Sequence, residues 1–140
     1  MSRFVLDASV VAAWFLPDQR TASADRLLGE THQHRFLAPH IFPVEVSNLL
    51  LTAERKARIS AASTARALAA LWSLNLTVAE AGRPESVGEL LTLAREDRLT
   101  AYDALYLQLA QTSGAALATR DGELISAAGR RGLDVLDLRP

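Results

Sequence analysis

Arg3-Phe4-Val5-Leu6-Asp7-Ala8-Ser9-Val10-Val11 is the stretch that decides the fold. Phe4 to Leu6 form an apolar run with no polar alternation, the pattern of a strand covered on both faces. The run stops at a carboxylate, and helix-forming residues follow from Val10 to Leu16. A strand that hands over to a helix in this way belongs in the middle of a parallel sheet. Its carboxyl end then opens on the crevice where α/β proteins bind ligands. Asp7 stands at that mouth, and the question is what joins it there.

Outward from this stretch, strands and helices alternate. Pro17-Asp18 breaks the first helix, and Asp18 is placed to cap a second one reaching about Gly29. Arg35 to Ala38 reads as a second strand, stopped by Pro39. A long helix is expected from about Ile41 to Arg58, with Pro43 tolerable only in its first turn. Ser60 caps the next helix, which carries Leu68, Leu71 and Trp72, and Leu76-Thr77-Val78 is a third strand. Pro84 starts a helix whose Val87, Leu90, Leu91 and Ala94 share one face. Thr100 opens another, through about Thr112, and Gly114 ends it. Ala115–Ala118, a helix from Asp121 to Gly129, and Val135-Leu136 complete the series. The expectation is a three-layer α/β/α fold around a short, mainly parallel sheet of about five strands. No repeat, linker or boundary interrupts residues 1–140, so one domain is expected.

Composition narrows the function classes. Of 140 residues, 49% are hydrophobic, enough for a packed core. The net charge of −1 does not advertise nucleic-acid binding, so any such contact must be local. Lys56 is the sole lysine among fifteen basic residues, a bias toward planar, bidentate recognition. The absence of cysteine excludes disulfides, zinc ribbons and thiol nucleophiles. There is no signal-peptide pattern, and the run from Val10 to Leu16 is too short to span a bilayer. A soluble, cytoplasmic protein is expected.

Four acids occupy similar local positions. Asp7 and Asp121 lie between a strand and a helix; Glu45 and Asp103 lie in first turns. Each has an ordinary structural explanation. Asp7 and Asp121 suit N-caps, and Thr100-Ala101-Tyr102-Asp103 matches a capping box. Glu45 complements a helix dipole and shares a face with Asn48 and Thr52. The set says more than its members. In a right-handed βαβ fold, helices following strands begin on one edge of the sheet, so their first-turn acids can meet there. Clustered carboxylates repel unless protonated or neutralised, and Mg²⁺ suits a few carboxylates plus waters.

Residues 4–18, Phe-Val-Leu-Asp-Ala-Ser-Val-Val-Ala-Ala-Trp-Phe-Leu-Pro-Asp, resemble the opening of PIN-domain proteins, specifically the VapC-type toxin ribonucleases. Pro43 to Leu50 resembles that family's second motif and Thr100 to Ala110 its third. Leu117 to Asp121, with Leu124, resembles the fourth. The resemblance implies metal ligands at Asp7, Glu45 and Asp103, with Asp121 as fourth acid, and it matches Ser9, Asn48 and Thr119 to family positions. It further implies an RNA substrate, Mg²⁺ or Mn²⁺ as cofactor, a small VapB-like antitoxin as partner, and a homodimer formed by the helices between about 46 and 74.

Two rival functions come from other classes. A phosphatase would use Asp7 as nucleophile, but the haloacid-dehalogenase-like pattern needs a second aspartate where Ser9 stands. A non-catalytic binding module with a PIN-like shell is the other. His32, His34 and His40 lack a metalloprotein spacing. Trp14, Trp72 and Tyr106 read as core or interface residues. Among Arg83, Arg95, Arg98 and Arg120, only Arg120 has a positional argument for touching phosphate, since it adjoins Asp121.

Overall fold

The computed structural model describes residues 2–140. β1 (Ser2–Leu6) is the central strand, and its burial rises along its length until Val5 and Leu6 are fully enclosed. It pairs in parallel with β2 (His34–Ala38) on one side and β4 (Ala116–Thr119) on the other. β3 (Leu76–Val78) and β5 (Val135–Asp137) extend the sheet, giving the order β3-β2-β1-β4-β5 with every pairing parallel. The chain works from β1 toward β3 and then crosses back to β4. β1 and β4 therefore flank the point where strand order reverses, and crevices open above such points.

Among the described residues, seven helices cover the sheet. α1 (Ala8–Phe15), α2 (Ala22–Gly29), α3 (Phe42–Arg55) and α4 (Ala61–Trp72) accompany the outward half of the path. α5 (Val87–Asp97), α6 (Ala101–Ser113) and α7 (Gly122–Arg130) accompany the return. α1 packs on α2 and α3, and α6 on α5 and α7, so the two groups form the outer layers of an α/β/α sandwich. This is the expected architecture, with a sheet that is parallel throughout. Among the described residues, no helix is long and apolar enough to cross a membrane.

Several boundaries differ from expectation for local reasons. Asp18 does not cap α2. Pro17–Gln19 form a 3-10 turn, and Asp18 instead receives Arg58 Nε and Nη2 at 2.9 and 2.8 Å. Thr21 caps α2, its hydroxyl accepting from Ala24 N–H while donating to the Leu138 carbonyl. α3 ends at Arg55 because Ala57 turns left-handed at φ 54°. Pro84 opens a 3-10 turn rather than α5 itself. β4 runs one residue later than expected and ends on Thr119. That last shift matters for the site.

Candidate active site

Asp7 occupies the N-cap position of α1 yet makes no capping bond. Its backbone N–H continues the ladder to Ala118 of β4, and its carboxylate, 5% exposed, turns elsewhere. Oδ2 accepts from Ser9 Oγ at 2.6 Å and from Thr119 Oγ1 at 2.8 Å. Each hydroxyl has one proton to give, and neighbouring amides fix its direction: Arg120 N–H donates to Ser9 Oγ, and Asp121 N–H to Thr119 Oγ1. Asp7 is therefore held, but it caps nothing.

The other acids arrive on three helices. Glu45, in the first turn of α3, accepts at Oε1 from the Tyr106 hydroxyl at 2.7 Å. Asp103, in the first turn of α6, follows the cap Thr100, whose hydroxyl accepts from Asp103 N–H. Asp121 caps α7, its Oδ1 accepting from Glu123 and Leu124 N–H at 2.9 and 3.3 Å. The cap bonds reach only one Asp121 carboxylate oxygen, so capping leaves Oδ2 uncommitted to them.

All four acids line one pocket of about 310 Å³, with Ala8, Ser9, Asn48 and Leu49. A larger, mainly apolar groove of about 680 Å³ lies beside α5 and α6 and holds none of them. The small pocket is where the charge is unbalanced. Burial pushes the Asp7 carboxyl above its ordinary range, against the lowering pull of Ser9 and Thr119, and the charges of Asp121 and Glu45 add to the rise. Burial also lifts Asp103, to about 6, helped by Asp121, Asp7 and Glu45. Among the described residues, no arginine or lysine lines the pocket to offset this charge.

A hard divalent cation fits that donor set in chemistry, since every available ligand is an oxygen and most are anionic. Among the described residues, no three Asp, Glu, His or Cys side chains already stand in the arrangement of a ready metal site. Tyr106 restrains Glu45 and the α7 amides restrain Asp121.

The raised carboxyls predict a pH dependence. A carboxyl whose folded pKa lies above its unfolded value of about 3.9 favours folding while protonated and loses that contribution as pH climbs. For Asp103 the loss spans the interval from about 3.9 up to about 6, and Asp7 acts in the same direction. In EDTA, the melting temperature is therefore expected to be higher at pH 5 than at pH 7. A flat or rising profile over that interval would show that the acids do not repel.

Of the residues matched to the family beside the acids, Ser9 and Thr119 hold Asp7, and Asn48 lies exposed on the pocket wall. Ser9 donates to Asp7 where a phosphatase would offer a second acid. Arg120 Nη1 donates to the Gln19 carbonyl and side-chain oxygens, at 3.2 and 3.1 Å, which anchors one end of its guanidinium beside Asp121. Trp14 is a core residue whose indole N–H donates to the Ala24 carbonyl, whereas Trp72 is half exposed against Phe42. His34 packs edge-on against Phe4, and among the described residues no histidine lines the acidic pocket. Tyr106 was missed as a site residue. Its signal was there: it follows Asp103 by three positions on one helix, and a buried phenol needs an acceptor.

The PIN domain family model matches residues 4–130, and the chain belongs to that family. Within it, the chain is similar to Ribonuclease VapC3 of Pyrobaculum aerophilum, 28% identical over 122 residues that cover 87% of this chain and 92% of that protein. The crystal structure of PAE2754 from the same organism superposes with a TM-score of 0.68 at 28% identity, covering 90% of this chain and 84% of that one. The VapBC2 structure from Rickettsia felis, bound to a DNA fragment from its promoter, shares the fold at a TM-score of 0.66 and 15% identity. That match covers 96% of this chain and 98% of that one.

Proposed function

We propose that the chain is a metal-dependent ribonuclease that hydrolyses RNA phosphodiester bonds and acts as the toxin of a toxin–antitoxin pair in the cytoplasm. One observation carries the reading: four acids from four separate elements of a PIN domain line a single pocket at the carboxyl end of β1. The similarity to a VapC ribonuclease supports RNA as substrate. In this reading Asp7, Glu45, Asp103 and Asp121 hold Mg²⁺ or Mn²⁺. When bound, the ion supplies Lewis-acid stabilisation of phosphate charge and a water of lowered pKa.

The chain's own residues do the rest. Ser9 and Thr119 fix Asp7 against rotation, so its second oxygen stays available. The N-termini of α3, α6 and α7 lie close to the acids they carry, and their dipoles offset part of the negative charge. Asn48 offers an amide at the rim, where a phosphate oxygen or its water would lie.

Two partners complete the proposal. A small VapB-like antitoxin would block the pocket, and an arginine or lysine from it would find charge-assisted acceptors there. A second copy of the chain would cover the half-exposed Leu51 of α3 and Trp72 of α4. The test uses purified, partner-free protein, confirmed as a dimer by light scattering, on total cellular RNA with mapping of the new 5′ and 3′ ends. Cleavage is expected with Mg²⁺ or Mn²⁺ and none in EDTA. Cleavage that survives EDTA would overturn the metal chemistry, and a folded protein that cuts no RNA would favour a non-catalytic module.

A further inference from the structure

Tyr106 is completely buried, on the face of α6 that carries Asp103 one turn earlier. Its hydroxyl reaches Glu45 of α3, 61 residues away in sequence. The phenol O–H donates and Glu45 Oε1 accepts, at 2.7 Å. A carboxylate with one oxygen committed has one left to offer.

The same arrangement recurs around the pocket. Ser9 and Thr119 occupy Asp7 Oδ2, and the α7 amides occupy Asp121 Oδ1. Three of the four acids thus have one oxygen tied to the protein. Asp7 and Asp121 are tied by groups next to them in sequence or on an adjoining strand. Glu45 stands at the end of a longer, more mobile side chain, and Tyr106 is its one hydrogen-bond donor among the described residues. The restraint comes from the helix that brings Asp103, so the position of one acid is referred to the element of another.

We propose that Tyr106 is a positioning residue of the acid site, holding Glu45 by its Oε1 so that Oε2 is presented to the pocket in fixed relation to Asp103. The inference rests on the metal-dependent reading given above. The competing explanation is a core tyrosine that merely found an acceptor.

Tyr106→Phe removes the hydroxyl and keeps the ring, and Glu45→Ala removes the group it acts through. Both variants, the double variant and wild type are titrated with Mn²⁺ alone, by electron paramagnetic resonance of the free ion, and melted without metal. Tyr106→Phe is expected to melt cooperatively and to bind Mn²⁺ about 10–100-fold more weakly, as losses of groups that orient a metal ligand do. In the Glu45→Ala background the same change is expected to do nothing further. Wild-type affinity in Tyr106→Phe would overturn the role. So would a loss that persists without Glu45, or a variant that no longer folds, since either would assign the hydroxyl to the fold. Wild type that takes up no Mn²⁺ would instead fail the metal-dependent reading itself, and this inference with it.

Discussion

Asp7→Asn is expected to cut metal-dependent cleavage by orders of magnitude while leaving the metal-free protein at least as stable as wild type. The pairing of those two outcomes comes from the geometry. Asp7 makes no capping bond, so α1 loses nothing when the charge goes. An asparagine oxygen accepts from Ser9 and Thr119 as the carboxylate does, and the amide nitrogen then faces the pocket. One buried charge disappears from a cluster in which Asp121 and Glu45 already oppose its ionisation. With Mg²⁺ at a hundredfold excess over its dissociation constant, wild type gains about 2.7 kcal/mol by linkage. The variant should gain much less, and its cleavage rate should fall by about 10²–10³-fold or more, the loss typical of one preorganised electrostatic group. Thermal melts with and without Mg²⁺, beside a cleavage assay, decide it. Equal metal-induced shifts in the two proteins would remove Asp7 from the metal site.

Position along the sheet was legible in the sequence; side-chain commitment was not. Phe4-Val5-Leu6 announced a doubly covered strand because both faces of a central strand must be apolar, and the residue after it had to lie at the open edge. Thr100 and Ser60 were legible as caps because a short hydroxyl side chain before a helix has few other uses, and both do accept the expected amides. Asp7 met the same local criterion and failed as a cap. What redirected it was Ser9, two residues on, together with Thr119, more than a hundred residues away and brought alongside by the β1–β4 pairing. Asp18 was drawn off in the same way by Arg58. Local rules rank the partners within a few residues, and a stronger partner supplied by the fold takes precedence.

The same reasoning accounts for Tyr106. Along α6 it sits among Ala104, Leu107 and Ala110, all buried, so periodicity reads it correctly as core. Only the tertiary packing reveals that the end of this core side chain emerges beside Glu45. The acid positions, by contrast, needed no packing detail. Three of them open helices and the fourth ends the central strand, and a parallel sheet carries all such positions to one edge. The fold thus collects the acids at a cost in repulsion, and hydroxyls hold two of them: Ser9 and Thr119 hold Asp7, and Tyr106 holds Glu45.

Thr119→Val tests that division of labour, with an effect expected on both stability and metal affinity. Thr119 is fully buried, and valine matches its shape but not its chemistry. The wild-type hydroxyl gives its proton to Asp7 and receives the Asp121 N–H at 3.0 Å, so the substitution removes one donor and one acceptor together. Asp7 keeps Ser9, but the Asp121 amide loses its partner at the entry to α7. A loss of about 1–3 kcal/mol in the metal-free protein is expected, measured by urea unfolding. Mn²⁺ affinity should fall about 10–100-fold as Asp7 loses one of the two bonds that orient it. Ser9→Ala should cost less on both counts, because Ser9 is half-buried and water can replace its hydroxyl. Thr119→Ser restores the hydroxyl at the price of one methyl group, so it should recover the affinity while remaining slightly less stable. If valine and serine at this position bound Mn²⁺ alike, the hydroxyl would have no part in orienting Asp7, and the close contact between them would be packing alone.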